Sequence, residues 1–349
     1  MRSDGGGRQN LKRNEKALSM FAFPVLLGDI GGTNARFAVL AAPGEPVQLL
    51  PRTLTADTPD PVGAIRIALQ GYKGEAPRSA MIAVATRVDA PSIRLTNASW
   101  VIDAQAIAKA LGLERVTLVN DYTPVAASVT VLSEEKGDLA PIGSGHPGEG
   151  ARVVLGPGTG LGVGALIPVE DRLAIVATEA GHIEFGPSTE EEAALWPHLE
   201  RVGGRVSAEV LLSGPGLFRI AKAIAAHRCV DCPYAKPNDV LTAAREGDEM
   251  AQAALNLFSR WLGRYSGDMA LTFEASGGVF IAGGIAPRMV DILQDGGFRE
   301  AFDSKAPHHA WASKVPAFVI VNAEPALQGL AALVTNPGRF VFKSQGWAA

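Results

Sequence analysis

Two short stretches of this chain share one plan, and that plan restricts the fold more than any other feature. Leu26–Val39 and Val153–Leu166 each run from an apolar strand through a glycine-rich turn into a second strand. In the first, Val25–Leu27 and Arg36–Leu40 flank Gly28-Asp29-Ile30-Gly31-Gly32-Thr33. A link this tight predicts a β-hairpin rather than a crossover. In the second, Ala151–Leu155 enters the glycine cluster Gly156–Gly164. Around both openings strand and helix signals alternate. Ala80–Val84, Val116–Val119, Val279–Ile281 and Phe318–Val321 read as buried strands. Ala64–Gln70, Ala104–Leu111 (closed by Gly112), Glu190–Leu199, Leu217–His227, Met250–Phe273 and Pro325–Val334 carry helical spacing. Lys136–Gly150 lacks periodicity and reads as a surface loop near a boundary. This alternation predicts an α/β protein of two similar lobes, with a ligand in the cleft between them.

Composition narrows the classes. The chain has 349 residues, enough for two ordinary domains, and is 47% hydrophobic and 19% charged, which argues against global disorder. A net charge of −4 gives no basic footprint for nucleic acid, so no nucleic-acid partner is expected. Two cysteines cannot build a disulfide framework, and the expected compartment is the cytoplasm. No apolar run is long enough to span a bilayer, so no membrane partner is expected. Lys12, Arg13 and Lys16 before Ala17–Leu27 imitate a signal peptide, but no small-residue cleavage site follows. Residues 1–22 are read as a flexible tail, and Phe23–Leu27 as the first strand.

Glycine turns of this kind let backbone N–H groups approach phosphates closely. Thr33 and Thr159 add hydroxyl donors. Asp29 is the informative residue, because a carboxylate beside a phosphate is repulsive unless a cation lies between them. Mg²⁺, held by Asp29 through its own waters and arriving with the nucleotide, resolves that conflict. The plainer alternative is a tight hairpin turn, which two such turns, one bearing an Asp, make less suitable. No Gly-Lys occurs, so a P-loop is absent. Gly160, Gly162 and Ala165 fit a Rossmann spacing, yet Val163–Ile167 has strand rather than helix character.

At this point the residues resemble the bacterial glucokinases, within the superfamily that joins actin, sugar kinases and chaperone ATPases. Leu27-Gly28-Asp29-Ile30-Gly31-Gly32-Thr33-Asn34-Ala35-Arg36 resembles their first phosphate segment, and Gly156-Pro157-Gly158-Thr159-Gly160-Leu161-Gly162 their second. Val119-Asn120-Asp121-Tyr122 resembles the catalytic segment, and Thr178-Glu179-Ala180-Gly181-His182 the sugar-binding E-x-G-H segment. Ser207-Ala208-Glu209 with Leu212–Leu217 resembles a further sugar-side segment, and Ala282-Gly283-Gly284-Ile285 the adenosine motif. The order and spacing hold from about Leu26 to Leu333. The Cys-rich zinc motif of the ROK group is missing, so the likeness is to the non-ROK glucokinases. One departure is visible: relatives usually show Pro and later Gly-Asp where this chain has Thr86-Arg87-Val88-Asp89.

The resemblance implies a two-lobed actin-like ATPase (ribonuclease H-like) fold with its active-site cleft between a smaller and a larger domain. It implies residues 23–132 plus 325–349 as the small domain and 133–324 as the large one. It implies ATP and Mg²⁺ as cofactors, glucose as substrate, lobe closure on sugar and a homodimer. The implied reaction transfers a phosphoryl group from ATP to the 6-hydroxyl of D-glucose.

The chemistry needs a base for a sugar hydroxyl. Asp121, following a buried strand, is the candidate; its plainer reading is a turn or helix N-cap. Sugar specificity needs several fixed donors and acceptors. Glu179, His182 and Glu209 suit that role, with Asn97 and Asn120. Gly28, Asp29, Gly31, Gly32, Thr33, Asn34, Gly158, Thr159 and Gly160 would face Mg-ATP, and Gly283 and Gly284 would pass beneath adenine. A kinase for another hexose, a catalytically silent sugar-binding regulator and an actin-like structural ATPase are the other readings. His227, Cys229 and Cys232 form H-x-C-x-x-C outside the family pattern. Zinc (with His308 or His309 as a fourth ligand) or a redox pair is possible on type, and two ordinary loop cysteines are the favoured reading.

Overall fold

The computed structural model describes residues 21–95 and 99–349, and its contacts divide the chain into two units. The first holds the described residues up to Leu132, together with Leu166–Ala177 and Ala323–Ala349.

Its sheet is built on β1 (Val25–Ile30), β2 (Asn34–Leu40), β3 (Gln48–Leu49), β4 (Thr53–Leu54), β5 (Ser79–Val84) and β8 (Arg115–Asn120). The two-stranded ribbon of β6 (Ser92–Arg94) and β7 (Val101–Asp103) lies apart from it. The spatial order is C-terminal strand (Gln345–Ala348), β8, β5, β1, β2, β3, with β4 also on β2. β1, β5 and β8 run parallel, and β2 returns antiparallel to β1, as the tight glycine link predicts. All six residues of β5 are buried, as a parallel strand covered on both faces should be. One face is covered by α1 (Pro61–Leu69) and α2 (Ala104–Leu111), whose Ala64, Ile65, Ala68, Ile107 and Ala108 join Leu26, Phe37, Ile82 and Leu118 in one core. Trp100 is fully buried there and donates from Nε1 to the Thr58 carbonyl at 2.9 Å. The helix ends follow their sequence signals. Asp60 caps α1 ahead of Pro61, Asp103 caps α2, and Gly112 closes α2 in the left-handed region at φ 69°. Against β1 and β5 pack the C-terminal helix (Pro325–Thr335) and, against that helix, α3 (Tyr122–Ser128).

The second unit holds Ser133–Ala165 and Thr178–Asn322. Its strands are β9 (Leu139–Pro141), β10 (Arg152–Pro157), the first half of β11 (Leu161–Val169), β13 (Gly278–Ile281) and β14 (Ala317–Ile320), in the order β11, β10, β13, β14, β9. The rest of β11 and nearly all of β12 (Arg172–Thr178) count with the first unit, where Leu173 and Ala174 pair with Phe340 and Val341. β9 falls inside the stretch expected to be loop. It is three residues long, ends in proline and exists because β14 offers it an antiparallel edge, a partner no local pattern announces. The helices are α4 (Glu190–Leu195), α5 (Ala208–Leu211), α6 (Gly214–His227), α7 (Pro237–Arg245), α8 (Glu249–Phe273), α9 (Val290–Gln294), α10 (Gly297–Asp303) and α11 (His309–Ala312). The long α8 is the spine, with α6, α7 and α10 packed on it. Among the described residues no helix is long and apolar enough to cross a membrane.

Candidate active site

In the first unit, β1, β5 and β8 end side by side, and their C-terminal ends carry the candidate residues Asp29, Asn120 and Asp121. Asp29 lies at the level of Ala83 on β5, which in turn pairs with Val119 on β8. Asn120 and Asp121 therefore emerge next to the Asp29 turn because the parallel register puts them there. The turn is fixed from both sides. Gly31 N–H donates to the Asn34 carbonyl at 2.9 Å, and Thr55 donates from Oγ1 to the Gly32 carbonyl at 2.8 Å. Gly31, Gly32 and Thr33 thus form one tied loop, whereas Gly28, expected in the turn, lies inside β1 opposite Phe37 because the ladder with β2 runs on to Ile30.

Asp29 is largely shielded from solvent, and burial pushes its carboxyl above the usual carboxylate range. Arg36, its cross-strand partner on β2, opposes that shift with an ion pair at 3.1 Å. The same guanidinium reaches Glu324 at 3.3 Å, and Arg52 meets Glu324 at 2.6 Å. Sequence reasoning quoted Arg36 only as part of a motif and missed Glu324. The one available signal was an acidic residue immediately before Pro325 at a helix start.

Asp121 occupies the N-cap position of α3, yet its side chain makes no capping hydrogen bond. Burial raises its pKa to about 7, and the Asp29 charge adds to the rise. Nearby backbone N–H groups of Asp121 and Tyr122 and the Asn120 side chain pull the other way. Asn120 is itself committed locally. It donates from Nδ2 to the Thr86 carbonyl at 3.2 Å and accepts at Oδ1 from Tyr122 N–H at 2.9 Å. The unusual Thr86–Asp89 segment is thus the backing of Asn120. Asn97 lies outside the described residues.

In the second unit, the turn between β10 and β11 is closed by Gly158 N–H to the Gly160 carbonyl at 2.8 Å, around Thr159. Gly214 N–H at the start of α6 donates to the Gly158 carbonyl at 2.8 Å. Glu209 accepts Leu161 N–H at 2.9 Å on Oε2, which ties this carboxylate to the glycine turn. Its other oxygen lies 3.8 Å from Nδ1 of His182, and Nε2 of the same ring lies 3.9 Å from Glu179. These distances are too long for hydrogen bonds. The three groups converge while keeping polar capacity free for a ligand. His182 and Glu179 are more than half exposed. The E-x-G-H segment is held from behind: Tyr265 on α8 donates to the Ala180 carbonyl at 2.8 Å, and Arg205 to the His182 carbonyl at 3.2 Å. Burial, with the nearby Asp268 charge, pushes the Tyr265 hydroxyl pKa upward, so it stays a donor. Tyr265 was missed because nothing in α8 marks one buried tyrosine as different from the core around it.

Two glycines have steric reasons. A Cβ on Gly181 would lie 2.0 Å from the Leu161 carbonyl oxygen, so the E-x-G-H segment can lie on β11 only with glycine there. Gly283 has φ 82°, and a Cβ on it would lie 2.4 Å from the Pro157 carbonyl oxygen. The Gly283-Gly284 turn therefore rests directly on the second phosphate-type turn.

Among the described residues no three His, Cys, Asp or Glu side chains are arranged to hold a metal. His227 packs edge-on against His198, with centroids 5.5 Å apart.

The glucokinase family model matches residues 26–337. A glucokinase of Chelativorans sp. (strain BNC1) is 41% identical over 327 residues, covering 93% of this chain and 95% of that protein. A glucokinase of Brucella suis biovar 1 is 42% identical over 329 residues, with 93% and 95% covered. Among solved structures, a glucokinase from an Antarctic psychrotroph superposes with TM-score 0.80 at 31% identity, covering 90% of this chain and 100% of that one. A Balamuthia mandrillaris glucokinase solved with glucose shares the fold, with TM-score 0.72 at 19% identity over 95% of this chain and 99% of that one. With the family model spanning residues 26–337 and relatives 41–42% identical over more than nine-tenths of the chain, the chain belongs to the glucokinase family.

Proposed function

We propose that this enzyme phosphorylates the 6-hydroxyl of D-glucose with ATP, and that Asp121 is the general base. One observation carries the assignment of the base. Asp121 stands where an N-cap carboxylate would normally bond the helix, makes no such bond, and is poised near neutrality. A base with a pKa close to the working pH is the most effective acceptor of a hydroxyl proton. As the O–P bond forms, the 6-hydroxyl proton passes to the Asp121 carboxylate. Glu179, His182 and Glu209 bind the remaining sugar hydroxyls, with Asn120 and Asn97. The carboxylates accept, and His182 donates or accepts according to tautomer.

The turns Gly28–Asn34 and Gly158–Gly160 hold the phosphates through backbone N–H groups, and Gly283-Gly284 underlies the adenine. Asp29 fits the Mg²⁺ role, because a shielded carboxylate whose charge Arg36 only partly offsets gains from a cation. When bound, the ion neutralises phosphate charge; Asp29 would hold it through water. A homodimer in the cytoplasm completes the proposal, on the family likeness and the low cysteine count, and light scattering on the purified chain tests the dimer. The decisive experiment is ADP release with Mg-ATP across a panel of hexoses. Glucose-dependent release with glucose 6-phosphate as product supports the proposal, and release that ignores the sugar sinks it.

A further inference from the structure

The chain has two cysteines, and they sit three residues apart in the connection between α6 and α7. Cys229 is exposed and Cys232 half-buried. Cys229 directly follows the cap of α6 at φ 56°, in the left-handed region. Its N–H closes on the Ala226 carbonyl at 3.1 Å, and Val230 N–H on the Ala225 carbonyl at 3.0 Å. This is the helix ending that normally takes glycine. A cysteine at that position is a strained choice, and its side chain is exposed. Backbone strain kept at an exposed side chain points to use of that side chain.

Both ends of the connection are anchored. The α6 cap holds Cys229. Beyond Cys232, the buried Tyr234 donates its hydroxyl to Asp248, and the N–H groups of Ala235 and Lys236 both bond the Asp239 carboxylate. Residues 230–233 lie between these anchors in neither helix nor strand. They can turn without breaking a helix or sheet. The Cys232 thiol now lies 4.0 Å from the Tyr234 carbonyl, so closing the pair requires residues 230 and 231 to turn and bring the two Cα atoms within the roughly 7 Å a disulfide spans.

We propose that Cys229 and Cys232 are a reversible oxidation site that closes as a disulfide within this loop. With a peroxide as oxidant, the exposed Cys229 thiolate attacks one peroxide oxygen. The S–O bond forms, the O–O bond breaks, and the departing hydroxide takes a proton to become water. Cys232 then attacks the sulfenic sulfur. The S–S bond forms, the S–O bond breaks, and a second water leaves with the remaining thiol proton. Two thiols lose two electrons and the peroxide is reduced to two waters. A dithiol reductant reverses the change.

The test uses the full-length protein treated with hydrogen peroxide and then analysed by intact mass and thiol titration. The expected result is a monomer lighter by two hydrogen atoms with both thiols lost, both restored by dithiothreitol. Cys229→Ser and Cys232→Ser should each abolish that species. Two thiols that stay free, overoxidised sulfinic products as the main species, or only a chain-to-chain disulfide would overturn the proposal. A second variant checks the strain argument in the reduced protein. Cys229→Gly should raise Tm, and a lower Tm would mean the thiol is held there by packing.

Discussion

Asp29 and Arg36 face each other across the β1–β2 ladder, and their side chains close an ion pair at 3.1 Å beside the first phosphate-type turn. Arg36 also forms an ion pair with Glu324, which leads into the C-terminal helix. One guanidinium thus holds apart two carboxylates that are mostly shielded from water.

Arg36→Ala leaves both carboxylates without that cation. Because Arg36 is itself a third exposed, the expected loss is moderate, about 1–3 kcal/mol, seen as a lower Tm. Arg36→Lys should rescue only part of it, since an ammonium cannot make the planar two-sided contact. An unchanged Tm in the alanine variant would show that Arg52 alone suffices for Glu324.

Asp121→Asn should lower kcat by roughly 10²–10⁴-fold, the usual contribution of a general base. Glucose affinity, measured by calorimetry on the same variant, should stay within a few-fold of the parent. A variant that retains near-parental kcat would remove Asp121 from the role of base.

The pH profile follows from the raised pKa of about 7. Only ionised Asp121 accepts a proton, so kcat/KM for glucose should climb as pH rises through about 7 and then level off. A flat profile from pH 5.5 to 8.5 would contradict the assignment.

The same shift predicts a stability effect of opposite sense. The folded state holds the Asp121 proton up to about pH 7, whereas an unfolded aspartate loses it near its ordinary value of 3.8. Folding stability contributed by that proton is complete below pH 4 and is lost as pH rises through 7. Asparagine has no charge to desolvate. Asp121→Asn should therefore be more stable than the parent at pH 8, by at most a few kcal/mol, with the gap shrinking toward pH 4. Thermal melts at the two pH values measure it, and a destabilised variant at pH 8 would refute it.

Gly283→Ala forces a side chain against the Pro157 carbonyl at a positive φ. It should raise the KM for ATP about tenfold or more while glucose binding stays unchanged. Gly181→Ala should do the reverse, because its added carbon meets the Leu161 carbonyl and displaces His182. If both variants shift the same KM, the division of labour between the two turns is wrong.

Much of this was written in local sequence. The buried runs of β1, β5 and β8 show in apolar content alone, and the capped helices α1 and α2 in Asp-Pro and Gly signals. The two glycine turns and the Asn-Asp pair could be placed at strand ends because strand and turn chemistry are set by neighbouring residues. The parallel register that brings the Asp29 charge near Asp121, where it adds to the rise that burial causes, required β5 between them. The Arg36–Glu324 pair joins residues far apart in the chain, and β9 exists only because β14 lends it an edge. Tyr265 supports the E-x-G-H turn from a helix whose pattern marks it merely as core. Secondary structure and turn chemistry depend on energies between near neighbours, which the sequence displays. Charge pairing, desolvation and edge pairing depend on which distant groups share a volume, and only the tertiary structure decided that.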